Sequence, residues 1–368
     1  MKVLVAGHIC LDITPEFVSG NLECLVPGRL YDMQGIGFHL GGAVANTGLA
    51  MKFFGADVKL TGKIGSDLLG DLVLKQLEDY DAAASMIVDK DSRTSYSVVI
   101  APPGIDRIFL HQSGANDTFS FEDFSEDAFE GIDLFHFGYP PLMKQLYINN
   151  GDGLEYLFRK IKEMDIVTSL DMASVSEERA AGKENWDSIL KRVLPYIDFF
   201  VPSVEEVSFM LDRKKYHMWQ QQAADADMIS LLDIEQDIKP LADKAQEYGA
   251  GTVLIKSGAK GMYCQTASQA VMDNIADRLG VDLSDWVGRK HFEYSYKPDR
   301  ILSGTGAGDT SIAAFLCSIL QGNSFERTLQ YAVGTGASCL EDYDALSGLR
   351  TFAELDEKIS AGWEKNVF

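Results

Sequence analysis

Short apolar runs that end in small or polar residues return along this chain with helical periodicity between them. KVLVAG (2–7), IDLFHFGY (132–139), DIVTSLDM (165–172), IDFFVPS (197–203) and GTVLIKSG (251–258) are runs of this kind. LEYLFRKIKEM (154–164) and DIKPLADKAQEYG (237–249) carry the spacing of amphipathic helices. A strand that is apolar throughout needs cover on both faces. The rhythm therefore predicts an α/β fold with a mostly parallel central sheet and helices on both sides. At 368 residues, with 46% hydrophobic and 10% aromatic content, the chain can bury a large core as a single domain over 1–368.

Two stretches break the rhythm. About 13–40 and 92–112 read as extended segments with no helix between paired strands, which predicts a small β lid inserted in the domain. Residues 213–227 and about 274–300 read as polar surface insertions. The net charge of −22 repels phosphodiester backbones and anionic lipid, so neither nucleic acid nor membrane is an expected partner. The five cysteines are odd in number, scattered and free of any C-x-x-C, as expected of reduced thiols in a cytoplasm. MKVLVAGHICLD reads as a buried first strand, because Asp12 arrives too early for a signal peptide.

SGTGAGDTSIAAFLCSILQG (303–322) crowds glycines against a carboxylate and then opens an apolar stripe through Ile312, Phe315, Leu316, Ile319 and Leu320. A helix starting near Gly308 would aim its unpaired first N–H groups and positive dipole end at the loop. Gly306, Ala307 and Gly308 have so little side chain that an anion can approach those groups. Asp309 is out of place in a simple anion cradle, but fits a base taking the proton of a hydroxyl that attacks a phosphoryl group held there. A tight turn with an N-terminal charge is the plain alternative. Neither the Walker pattern nor G-x-G-x-x-G after the first strand occurs, so a dinucleotide-dependent reductase lacks its fingerprint.

GGAVANTGLAMKFFG (41–55), read as a helix with Ala45, Leu49, Ala50, Phe53 and Phe54 on one face, stands with GTGAGDT (304–310) in a telling order. GHICLD (7–12), GKIGSDLLG (62–70), DFFVPSVEE (198–206) and VLIKSGAKG (253–261) also fall in sequence. Together these segments resemble the ribokinase-like sugar kinases, the phosphofructokinase B family, from residue 3 to about 350. The resemblance implies a ribokinase-like sheet with a β lid and transfer of the γ-phosphate of ATP to a hydroxyl of a small sugar (ribose-, fructose- or ketodeoxygluconate-like). It implies Asp309 as base, with Gly306, Ala307 and Gly308 as anion hole. Asp12, Gly41, Gly42 and Asn46 would bind the acceptor, with Arg107 reaching in from the lid. Lys256, Ser257, Gly258 and Gly261 would line the ATP site, and Glu206 would organise Mg²⁺ through water.

Each position has a plainer alternative. Asp12 could cap a turn, Asn46 could cap a helix, Lys256 could lie at the surface, Glu206 could be a solvated helix carboxylate, and Gly41 and Gly42 could serve close packing. Departures from the family pattern stand at Ser303-Gly304 in place of Asp-Thr, which bears on a monovalent cation as a further cofactor. Ser203 replaces the metal segment's Asn, and DMASV (171–175) keeps only Asp171 of D-x-N-x-R. A nucleoside kinase of the same fold, with Phe38, Phe109 or Tyr139 against the base, and a catalytically silent sugar-binding sensor are the alternatives. A homodimer through the lid is expected from its open strand edges.

Overall fold

The computed structural model describes residues 1–17, 27–100, 108–224 and 226–367. Its main sheet has eight strands. They are β1 (Lys2–Gly7), β4 (Asp57–Thr61), β9 (Leu134–Gly138), β10 (Val167–Asp171), β11 (Phe199–Phe200), β12 (Thr252–Ser257), β13 (Gly261–Thr266) and β14 (Lys290–Tyr294). The order is β14-β13-β12-β11-β10-β9-β1-β4, parallel from β12 to β4, with β13 and β14 added antiparallel. A second sheet of order β3-β2-β7-β8 is built from β2 (Cys10–Phe17), β3 (Met33–Gly41), β7 (Tyr96–Ile100) and β8 (Ile108–Gln112). β5 (Lys63–Gly65) and β6 (Ile87–Asp89) form a short pair.

The helices are α1 (Ala43–Phe53), α2 (Leu68–Glu78), α3 (Lys144–Glu163), α4 (Trp186–Val193), α5 (Val204–Leu211), α6 (Arg213–Ala223), α7 (Lys239–Glu247), α8 (Gln269–Leu279), α9 (Ala307–Leu320), α10 (Phe325–Cys339) and α11 (Phe352–Ser360). Successive side chains of a strand point to opposite faces. In β1, Leu4 and Ala6 therefore enter a core shared with α3, α4, α5 and α7. Val3 and Val5 enter the opposite core, shared with α1, α8, α9 and α10. The alternating runs of the sequence thus produce three layers.

Several expectations need correction. The stretch from about 274 to 300 is no surface insertion: Ile275 and Trp286 are fully buried, and β14 pairs with β13 in the main sheet. Its polar residues line the outer side of an amphipathic segment, which hides the apolar positions from a composition count. Residues 213–223 form α6, held by Trp219 in the core. Phe53 points to solvent while Ala45, Leu49, Ala50 and Phe54 are buried, because α1 ends at Phe53 and the chain turns there through Gly55. The second sheet begins at Cys10 rather than near 13. α9 starts at Ala307, and it is buried on every side from Asp309 to Ile319 rather than along one stripe.

Candidate active site

The carboxyl ends of the parallel strands come together at one edge of the sheet, where open α/β folds build their sites. Gly7 of β1, Gly138 of β9 and Asp171 of β10 lie in register there. The mouth of α9 faces the same edge. Its N-cap is Gly306 at φ 76, and no side chain caps this end. Residue 306 therefore needs glycine, and no side chain satisfies the first-turn N–H groups at this end.

Asp309 sits on that first turn with 5% exposure. Its Oδ1 accepts the Tyr139 hydroxyl at 2.7 Å, with the Thr47 hydroxyl at 3.5 Å. Its Oδ2 accepts Asn46 Nδ2–H at 2.9 Å. α1, packed along α9, thus orients the carboxylate from one side, and the residue after β9 orients it from the other. Asn46 is no helix cap, since Gly42 is the N-cap of α1 and has no side chain to lend. Burial first, then the charges of Asp309 and Asp171, pushes the Tyr139 phenol well above its usual value, so it stays a donor. The Tyr139 hydroxyl is thereby tied to the carboxylate.

Beneath the α9 mouth lies Lys256, which is buried rather than superficial. Its Nζ donates to Asp171 Oδ1 at 2.6 Å and to the Val201 carbonyl at 2.7 Å. Burial opposes the charge, but Asp171, Glu206 and Asp309 outweigh it and hold the ammonium above its ordinary pKa. Asp171 itself is pushed up by burial, which the Lys256 ammonium opposes. One buried cation is thus paired with Asp171 and lies in the field of Glu206 and Asp309.

A cleft of about 520 Å³ opens beside the α9 mouth, lined by Lys256, Gly258, Gly261, Gly304, Ala307 and Gly308 among others. The predicted nucleotide residues are brought together here with one exception. Ser257 is fully buried, its hydroxyl has no hydrogen-bond partner among the described residues, and it does not line the cleft. The wall residue of the acidic segment is Glu205. Glu206 Oε2 accepts Ser203 N–H at 2.6 Å while Glu206 N–H donates to Ser203 Oγ at 3.2 Å, a capping box at the start of α5. No group of three or more ligating side chains is placed to hold a metal among the described residues.

On the other side, Asp12 stands on β2 opposite His39 of β3 and Ser97 of β7. Cys10 Sγ lies 3.5 Å from Asp12 Oδ1. Gly41 is required for close approach, because a Cβ there would lie 2.5 Å from Asp12 Oδ2. A Cβ at Gly42 would strike the His8 carbonyl. His8 follows β1, is 2% exposed, and neither ring nitrogen has a hydrogen-bond partner among the described residues. Its ring centroid lies 5.3 Å from that of His111 and 6.1 Å from that of Tyr139, which links the second sheet to Asp309. Arg107 lies outside the described residues. Thr47 and His8 were not named from the sequence, Tyr139 was named only as a surface for a nucleoside's base, and Asp171 only as the retained residue of D-x-N-x-R. Position was the available signal for three of them, since His8, Tyr139 and Asp171 all end parallel strands.

Comparison with known proteins shows the family and the fold. The model of pfkB family carbohydrate kinases matches residues 2–351. An uncharacterized sugar kinase of Archaeoglobus fulgidus is 22% identical over 303 residues, 82% of this chain and 98% of that protein. The ribokinase of Arabidopsis thaliana complexed with ribose and ATP superposes with a TM-score of 0.70 at 18% identity, covering 96% of this chain and 97% of that one. A putative ribokinase II from E. coli in complex with ATP and Mg²⁺ gives 0.69 at 20%, covering 98% and 99%. At these identities the solved structures establish the fold.

Proposed function

The chain belongs to the pfkB family of carbohydrate kinases, and from that premise we propose that it moves the γ-phosphate of ATP to a hydroxyl of a small sugar with Asp309 as base. The observation that carries this is a buried carboxylate, held by Asn46 and Tyr139, on the uncapped first turn of α9, whose Ala307 and Gly308 line the cleft.

The residues fit the nucleotide. The cleft presents bare backbone at Gly258, Gly304 and Gly308 with Lys256 beneath, a surface suited to phosphates. The N–H groups of Gly306, Ala307 and Gly308 would take up charge on the transferring phosphoryl. Mg²⁺ would arrive on the nucleotide and neutralise phosphate charge, with Glu206 meeting it through water. Asp12, with Gly41 allowing close approach, would hold acceptor hydroxyls, and Asp309 would receive the proton of the attacking one. A primary alcohol releases that proton late in a loose transition state, so an ordinary carboxylate suffices.

The second sheet would act as a lid that excludes water. Its exposed Ile36, Phe38, Ile108 and Leu110 would suit pairing with a second copy through the lid. No helix among the described residues is long and apolar enough to cross a membrane, in keeping with work in the cytoplasm. The test is coupled ADP release across ribose, fructose, fructose 6-phosphate, ketodeoxy sugar acids and nucleosides. Turnover with a sugar supports the assignment. Turnover with nucleosides alone moves it to a nucleoside kinase, and specific sugar binding without ADP release makes the protein a sensor.

A further inference from the structure

We propose that Tyr139 is a place-holder at Asp309: its phenol stands where the acceptor hydroxyl must bind, and so closes the carboxylate to water until a sugar displaces it. The inference rests on the assignment of Asp309 as base. An alcohol about to attack the γ-phosphate must donate its O–H to that base. The structure already holds an O–H donor there, with Tyr139 Oη 2.7 Å from Asp309 Oδ1. Chemically the phenol imitates the acceptor. Asn46 occupies the other oxygen, and the Thr47 hydroxyl stands farther off at 3.5 Å.

Two independent features suit a group that must both sit there and leave. Tyr139 has φ 67 and ψ 41, a left-handed conformation that aromatic residues seldom adopt. Tyr139 is held in it by its surroundings, the Asp309 bond included, so losing that bond lets the backbone relax. Beside it lies His8, buried and with both ring nitrogens lacking hydrogen-bond partners among the described residues. Burial, with smaller contributions from His111 and Arg179, lowers the His8 pKa to about 3, so at neutral pH one nitrogen always offers a lone pair. A displaced phenol therefore has a second acceptor within the same pocket.

The device guards against one reaction. Without an acceptor, water activated by Asp309 would attack the γ-phosphorus. A water O–P bond would form, the bond from that phosphorus to the β,γ-bridging oxygen would break, and ADP would leave with the electron pair. The water proton would pass to Asp309 and on to solvent. With the phenol seated on Oδ1, water cannot take up the reactive position.

The test is ADP release from Mg·ATP with no sugar present, by the full chain, for wild type, Tyr139→Phe, Asp309→Asn and the double variant. Phenylalanine keeps the ring and removes only the hydroxyl, and with it the bond to Asp309; a thermal melt checks the fold. Sugar-free ADP release is expected to rise roughly tenfold in Tyr139→Phe, the effect of losing one hydrogen bond to a charged group. The double variant should fall back to the level of Asp309→Asn. No rise in Tyr139→Phe overturns the proposal and leaves Tyr139 a residue that merely positions Asp309. A rise that survives Asp309→Asn overturns the base assignment and the proposal with it. Failure of the sugar-kinase assignment shows separately, as wild type inert on every acceptor.

Discussion

The two walls around Asp309 differ in how they are held. β9 and β10 are buried at every residue, and α9 is buried from Asp309 to Ile319. In the second sheet Cys10 and Leu11 of β2 and Ser97 and Val99 of β7 are buried, but of β3 only Gly41 is, and no residue of β8 is. The wall that would handle phosphate is thus backbone gripped by two cores. The wall carrying Asp12 and His111 is side chains on a thin, solvated sheet, the kind of element that opens at low free-energy cost. Under the proposed function, transfer chemistry would fall to the rigid wall and choice of acceptor to the loose one.

Four variants sharpen or break that contrast, from the largest effect to the smallest. Asp309→Asn should lower kcat by roughly 10²–10⁴ with the melting temperature little changed. A wild-type rate in a coupled assay would remove the base from the rigid wall. Lys256→Met leaves Asp171 buried without its cation and should cost about 3–5 kcal/mol in denaturant unfolding. An unchanged midpoint would mean that the buried pair does not brace this wall.

Asp12→Asn separates function from stability on the loose wall. Burial raises the Asp12 pKa, against hydrogen bonds from Cys10 and Ser97 and the charge of His39. The folded state therefore binds this proton more tightly than the unfolded state does. The stability so gained is fully present below the ordinary carboxylate range and is lost as pH rises through the raised value. Above that value the ionised group weighs against folding. Asp12→Asn should thus melt no lower than wild type at pH 8, while the acceptor KM rises roughly tenfold and the ATP KM stays put. A lower melting point with an unchanged acceptor KM would make Asp12 structural.

Glu206→Gln is the mildest change. Glutamine can complete the capping box, so stability should move by no more than about 0.5 kcal/mol. The Mg²⁺ concentration for half-maximal rate should nevertheless rise. If it does not, Glu206 is a helix cap and nothing more.

Much of the site could be read in the sequence because it is local. Gly306, Ala307, Gly308 and Asp309 are neighbours in the chain, and a helix mouth is a local object. Lys256, Gly258 and Gly261 share one strand and turn. The partners of Asp309 could not be read this way. Asn46 is 263 residues away and Tyr139 is 170 residues away. The Lys256–Asp171 pair spans 85 residues, and nothing in the apolar run ending at Lys256 tells a buried lysine from a surface one. The region from about 274 to 300 misled for a related reason. Its buried Trp286 and its edge strand draw their meaning from β13, not from their neighbours in the chain.

The sequence by itself determined the layered α/β fold, the extended segments of the second sheet, and the glycine-lined helix mouth with its carboxylate. These follow from periodicity and backbone freedom, which act over a few residues. Only the tertiary structure decided that Tyr139 rather than solvent holds Asp309 and that Lys256 is buried against Asp171. Those are matters of charge and hydrogen bonding across strand ends, and strand order is what brings such groups within reach of one another.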